Sequence, residues 1–418
     1  MKTMLKTSTL LAITALCLAA LPASAAGSAL LAPTAGDLVP SILVAPTVGG
    51  PQPEVSREPV SFAWALDSSR PLDAAPPRFT STSKGYWLDV SAEELRQGVP
   101  LDTVSAGALV RINPAPGATA APAAGALDPQ NLVVVKEGTD LSGAQAMEFL
   151  VTAEQMAAAD LPFAPGTSAF RLRTELGAGA FRLQAPALPA SVGRFVVHVQ
   201  EPASEVVLAL RSNRPHYLHG QGLRVTLKLN DGGQSLAATD IRAFVLSPAG
   251  RSFPVAFRRA GGEYRANLLL DAQERFAEGL WELQATVEGR RGELTVRRGG
   301  RTAFQVSLPT ARLEGTADVT REGGGLAVRM GVETAVAGRY EIRGVLYGTD
   351  AEGQLKPFAV GHSAAWLGAG RGDVTLTFEK ELLSGSGLAA PFEIRDLRLL
   401  DQGRMGLLQR QERGLALD

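Results

Sequence analysis

Cysteine is nearly absent: the 418-residue chain has one, Cys17. It lies inside an apolar run from Leu10 to Leu21, with Lys2 and Lys6 before the run and Ala23-Ser24-Ala25 after it. A basic start, an apolar stretch too short for a stable span and small residues that fit a signal peptidase pocket make Met1–Ala25 a secretory signal peptide cleaved after Ala25. Leu16 stands where a lipid-attachment box needs a small residue, so Cys17 is not read as a lipid anchor. The mature chain then has no cysteine, which excludes disulfides, thiol catalysis and thiolate metal sites. Stability must come from burial, and about 390 residues are enough for two or three cores.

Other absences narrow the function. Beyond the leader there is no apolar run of about 18 residues, so no membrane span is expected. Charge of one sign is not in excess: there are 41 basic and 42 acidic residues, and losing Lys2 and Lys6 leaves a net charge of about −3, with no reason to expect a nucleic-acid partner. Histidine is scarce, at four residues. His216 and His219 are three apart, but no carboxylate or third histidine lies at ligand spacing, so no metal is assigned. His198 alternates with Val197 and Val199 and reads as a strand residue off the core face. Val360-Gly-His-Ser-Ala-Ala365 partly imitates a nucleophile elbow but lacks the final glycine, and no histidine follows Ser363 to take its proton. Phosphate-binding loops, dinucleotide fingerprints and His-Glu-x-x-His are missing, so no catalytic residue or cofactor is assigned. Carboxylates brought together from distant positions leave one enzymatic route open.

What the chain does have is glycine, 45 residues, and proline, 26, as suits many turns and few long helices. Ala26 to Glu54, almost uncharged and rich in Ala, Pro and Gly, reads as a tether to a first domain, and Pro114–Pro129 reads as a surface insert. Residues 55–203 read as a β-rich domain with a little helix. Its strands are expected near Gly85–Val90, Leu109–Ile112, Leu132–Val135, Phe170–Thr174, Ala180–Gln184 and Arg194–Val199. Ser91 and Glu94 have capping-box spacing at a helix start, and Ala144–Ala159 is expected to form one short helix. Residues 204–309 carry short β-runs at turn spacings of about 10, the pattern of an Ig-like sandwich. Leu223–Leu229 alternates strictly, as a half-buried strand does. Residues 310–418 form a third β series, with Val374–Phe378 alternating again. Trp281 and Trp366 are expected to anchor the two sandwich cores. The fold class is therefore all-β in three parts: a β-rich N-terminal domain and two tandem Ig-like β-sandwiches.

Tyr217-Leu-His-Gly220, Ser247-Pro-Ala-Gly250 and Gly279-Leu-Trp-Glu282 resemble bacterial extracellular Ig-like domains related to macroglobulin-type domains. Gly338-Arg-Tyr340, Leu367-Gly368, Val374–Phe378 and Pro391–Leu397 are similar to C-terminal Ig-like modules of secreted bacterial proteins. With Tyr86-Trp87, Glu94-Leu95, Gly98-Val99 and Arg111-Ile112 ahead of them, the order over nearly the whole mature chain resembles the secreted bacterial family of domain of unknown function 4785. The resemblance implies a three-part β architecture and brings no catalytic residue with it.

Arginine supplies the one charge cluster. Arg258 and Arg259 flank the Gly261-Gly262 turn, and Arg290, Arg291, Arg297, Arg298 and Arg301 surround the next hairpin. Converging guanidiniums would chelate carboxylate or phosphate. A solvated edge protected against aggregation is the alternative. The sequence thus reads as a periplasmic or secreted, non-enzymatic binding or structural protein of the bacterial cell envelope, with an envelope protein or an anionic polysaccharide or lipid as partner. The alternative is a hydrolase or inhibitor activity in the N-terminal domain with the sandwiches as accessory modules. Mass spectrometry of the protein from its native host should find Ala26 as the first residue; an intact Met1 form would refute cleavage.

Overall fold

A computed structural model describes residues 26–46, 55–72, 80–115, 127–189, 193–270 and 279–417. Met1–Ala25, expected to be a leader, and most of the Pro114–Pro129 segment lie outside the described residues. Strands dominate, and they gather around three separate apolar cores.

In the first domain a five-stranded sheet runs in the order Gly85–Ser91, Arg194–Gln200, Leu109–Pro114, Ser168–Leu172 and Met147–Val151. A four-stranded sheet, Val99–Thr103, Gly179–Gln184, Val133–Lys136 and Thr139–Ser142, completes it. Alternation along Arg194–Gln200 sends Phe195, Val197 and Val199 into the core and leaves His198 on the other face. The helix Ala92–Gln97 starts at the expected capping box: Ser91 N–H donates to Glu94 Oε2 at 2.7 Å and Glu94 N–H donates to Ser91 Oγ at 3.2 Å. The single helix expected over Ala144–Ala159 is instead two short helices, Gly143–Ala146 and Ala153–Ala158, around the strand Met147–Val151. Phe149, Leu150 and Val151 suit a strand, and pairing with Ser168–Leu172 overrides the helix formers on either side.

The central domain faces a sheet in the order Arg258–Ala260, Glu263–Leu269, Gly222–Asp231, Val206–Ser212 and Ser81–Ser83 against a second in the order His216–Leu218, Leu294–Ser307, Leu280–Arg291, Ala238–Leu246 and Ser252–Pro254. Leu294–Val296 and Thr302–Val306 are the two ends of one 14-residue strand, Leu294–Ser307. The pair Gly299-Gly300 between them does not turn the chain: a Cβ on Gly299 would overlap the Trp87 ring of the first domain, so glycine serves close approach. Trp281 is 5% exposed and packs between Phe253 and Phe304, as a core anchor does.

The C-terminal sandwich takes in two stretches of residues 26–65 that were expected as tether and first domain. Ala26–Ala29 is not a tether but an edge strand, antiparallel to Ala311–Glu322 with Ala26 opposite Val319. Its chain continues along the sandwich: Leu38 and Arg410 exchange backbone hydrogen bonds at 2.9 and 2.7 Å, and the buried Asp37 carboxylate accepts from Glu412 N–H at 2.8 Å. Val60–Ala65, expected in the first domain, pairs with Leu355–Leu367 at the edge of the other sheet. An uncharged, proline-broken segment has no core of its own, and the unpaired sheet edges supply the partners its backbone needs. Trp366 is not a core anchor either: it is half-buried on the outward face beneath Arg57, whose guanidinium lies 4.5 Å from the ring centre.

A fully buried ion pair joins the first two domains. Arg298 and Glu201 are both 0% exposed, with Arg298 Nη1 2.5 Å from Glu201 Oε2. The other carboxylate oxygen accepts from Val104 N–H at 2.6 Å and Ser105 N–H at 2.8 Å. The guanidinium also donates to Val206 O at 3.0 Å and Ser204 Oγ at 2.8 Å. Replacing Glu201 by Ala strands a buried cation and should cost about 3–5 kcal/mol, whereas Glu201→Met with Arg298→Met should recover part of that loss, since the Val104 and Ser105 N–H groups still lose their acceptor. Urea unfolding of the two variants checks this, and equal losses would refute it.

Candidate functional site

The first domain turns the outward face of its five-stranded sheet toward the central domain, and strand pairing writes two rows of side chains across that face. Trp87, His198, Arg111, Ala169 and Val151 are successive cross-strand partners. Gly85, Gln200, Leu109, Arg171 and Phe149 form the neighbouring row. With Met156 and Phe163 of the first domain, and with Ser81–Ser83, Gly299, Gly300 and Arg301 from the central sandwich, these rows line a cleft of about 830 Å³.

Its lining is largely apolar and aromatic, and open to solvent: Phe149 is 67% exposed, Leu109 43% and Phe163 40%. Set into this surface are two guanidiniums, each over an aromatic ring. Arg111 lies 4.9 Å from the Phe163 ring centre and Arg301 5.2 Å from that of Trp87. Among the described residues neither has a carboxylate partner, whereas nearby Arg171 pairs with Glu148 at 2.8 Å. Burial, then the Arg301 charge, lowers the pKa of Arg111. His198 lies between the two cationic side chains: burial first, then the charges of Arg111 and Arg301, push its pKa down to about 4. The imidazole is therefore neutral at neutral pH. The cleft combines an apolar floor, two cations without counter-ions and a neutral histidine, a combination suited to holding an anion that carries an apolar body.

The seven arginines expected to form one anion site do not converge. Arg258 and Arg259 are exposed on a short edge strand. Arg290 pairs with Glu293 at 3.4 Å and Arg291 with Asp231 at 2.8 Å. Arg297 reaches Asp102 at 3.0 Å, and Arg298 is sealed against Glu201. Only Arg301 enters the cleft. Alternation along a 14-residue strand, together with acidic neighbours on both domains, divides the cluster among different surfaces. His216 Nδ1 meets Gln305 Oε1 at 3.1 Å, and Ser363 sits in mid-strand with Oγ donating to Val60 O at 3.3 Å. No group of three or more His, Cys, Asp or Glu gathers at metal-ligand spacing among the described residues.

Trp87, Arg111, Phe149, Phe163 and the role of His198 were not singled out from the sequence. A signal was present in one strand: Leu109 is apolar at a position facing away from the core that Val110 and Ile112 fill. Phe149 offered none, because it faces away from Met147 only through the register shift between Arg171 and Leu172.

Models of the N-terminal, central and C-terminal domains described as domain of unknown function (DUF4785) match residues 51–201, 204–307 and 310–418. The crystal structure of a DUF4785 family protein from Legionella pneumophila superposes with a TM-score of 0.73 at 22% identity, covering 91% of this chain and 99% of that one. It has the same fold. The alpha-2-macroglobulin of E. coli matches at 14% identity and a TM-score of 0.30, covering 75% of this chain and 20% of its own. A Salmonella alpha-2-macroglobulin mutant matches at 16% identity and a TM-score of 0.28, covering 80% of this chain and 20% of its own. No curated protein matches the sequence.

The depressed histidine sets a pH dependence. With His198 at about 4 in the folded chain against 6.5 for the ordinary group, the unfolded chain takes up its proton first as pH falls. The folded state therefore keeps its full stability above pH 6.5 and loses part of it between pH 6.5 and 4. His198→Gln should flatten this portion of the profile in urea titrations, and identical profiles for the two proteins would refute the assignment.

Proposed function

The chain belongs to the DUF4785 family in all three of its domains, and on that premise we propose that it is an exported, non-enzymatic binding protein of the bacterial cell envelope whose interdomain cleft holds an amphipathic anion. The observation that carries this reading is the pair of guanidiniums, Arg111 and Arg301, without counter-ions in an aromatic lining. An acidic head group between them would complete the charge balance, and an apolar body would cover Phe149, Leu109 and Phe163. The volume of about 830 Å³ suits a small-molecule ligand. Export is supported by the leader pattern of Met1–Ala25. The central and C-terminal sandwiches are read as Ig-like modules, and the central one frames the site.

Binding is favoured over hydrolysis by the residues of the cleft. Its described lining includes no Asp or Glu to serve as an acid–base pair. Ser83 Oγ donates to Gly85 O at 3.1 Å, and His198 is hydrogen-bonded to no hydroxyl among the described residues.

Anilinonaphthalene sulfonate, whose charge does not titrate, tests the reading by fluorescence. The wild-type chain should bind it, and Arg111→Gln/Arg301→Gln should weaken binding at least about tenfold, since each charged hydrogen bond is worth about 1.5–3 kcal/mol. The neutral phenylnaphthylamine should bind both proteins alike. Equal sulfonate affinity in the two proteins would refute the site.

A further inference from the structure

A second cleft, of about 1120 Å³, lies where the central domain meets the C-terminal sandwich and the docked N-terminal segment. Its chemistry is the opposite of the first. The outward face of the strands Val206–Ser212, Gly222–Asp231 and Glu263–Leu269 carries one cross-strand row of Arg211, Thr226 and Arg265, and beside it Arg224 opposite Asn267. Neighbouring strands are about 4.8 Å apart, so Arg211 and Arg265 rise about 10 Å apart, with Arg224 about 7 Å along the middle strand from Thr226. The far wall adds Arg214 and Arg410, making five arginines against two glutamates, Glu263 and Glu412. Glu263 is taken by Arg265 at 2.6 Å, and Arg410 pairs with Asp396 at 2.8 Å. Among the described residues Arg211 and Arg224 have no carboxylate partner. The cleft therefore carries an uncompensated positive charge.

We propose that this cleft is a binding site for a hydrophilic oxyanion: a phosphorylated or carboxylated saccharide with at least two negative groups. Arg211 and Arg224 are diagonal neighbours about 7–8 Å apart at their bases, which matches two oxyanions on one sugar-sized frame, each taken in a bidentate fork. Asn213, Asn267 and Thr226 between them offer neutral donors and acceptors for hydroxyl groups. Among the described lining residues the one aromatic ring is Tyr217, buried with its hydroxyl donating to Asn213 Oδ1 at 2.7 Å, so these residues offer no stacking platform for an apolar body. Arg214 Nη2 donates to Ala35 O at 2.7 Å, which makes the docked N-terminal segment part of the wall.

The saccharide can be free or the head group of a lipid, and the test has an arm for each. Calorimetry with inositol hexakisphosphate covers the free form, and sedimentation with phosphatidylcholine vesicles containing a phosphorylated inositol lipid covers the lipid-borne form. The full chain should bind at least one of them. Arg211→Gln/Arg224→Gln should weaken that binding tenfold or more and leave the thermal midpoint unchanged, since neither side chain has a carboxylate partner to lose. Arg290→Gln/Arg291→Gln removes the same charge from the hairpin beside Asp231, at the far end of the strand that carries Arg224, and should change affinity less than twofold. Equal weakening by the two double variants would reduce the effect to general attraction and overturn the proposal, as would failure of the wild-type chain to bind either probe at low salt.

Discussion

The pairing of Glu201 with Arg298 is the constraint on which the front half of the molecule depends. Both groups are sealed from water, and burying two charges is costly unless every donor and acceptor is met. Here they are met from both sides: the carboxylate receives backbone N–H groups of Val104 and Ser105, and the guanidinium donates to Ser204 and Val206. A small rotation of one domain against the other would pull Arg298 away from Glu201 in a place water cannot reach. The relative position of the two domains is therefore held by polar geometry as much as by apolar contact. Around this pair, the residues from Arg297 to Arg301 diverge in what they touch. Arg297 meets Asp102, Arg298 meets Glu201, Gly299 admits Trp87, Gly300 lies against Leu208 and Arg301 faces the cleft.

The back half is organised by the return of the chain's beginning. Strands from residues 26–29 and 60–65 close one edge of each sheet of the C-terminal sandwich before the first domain begins. Arg339 fastens the approach by donating to Ser56 O and Glu58 O at 2.7 and 2.5 Å. Order along the chain and order in space therefore differ, and the second cleft owes one wall to a segment that lies far from its arginines in sequence.

The two clefts share a means of construction and differ in chemistry. Each uses the outward face of a sheet whose inward face fills a core, so strand alternation separates the structural residues from the available ones. One face carries aromatic rings and two cations; the other carries arginine, asparagine and threonine. Placing both at domain junctions lets residues on separate sandwiches contribute to one surface without disturbing either core.

The sequence by itself determined the strand content, the three-part layout, the capping box at Ser91 and the burial of Trp281, because alternation, capping and turn chemistry are local. It left open which strands share a face, and so it grouped seven neighbouring arginines that the structure distributes among Glu293, Asp231, Asp102, Glu201 and open solvent. Trp87, His198 and Arg111 come from three separate strands and become adjacent only through cross-strand register. Residues 26–65 read as tether and first domain because nothing local indicates which sheet edge such a segment will complete. Non-local pairing decided these features, since hydrogen bonds between strands and ion pairs between domains join residues that sequence distance keeps apart.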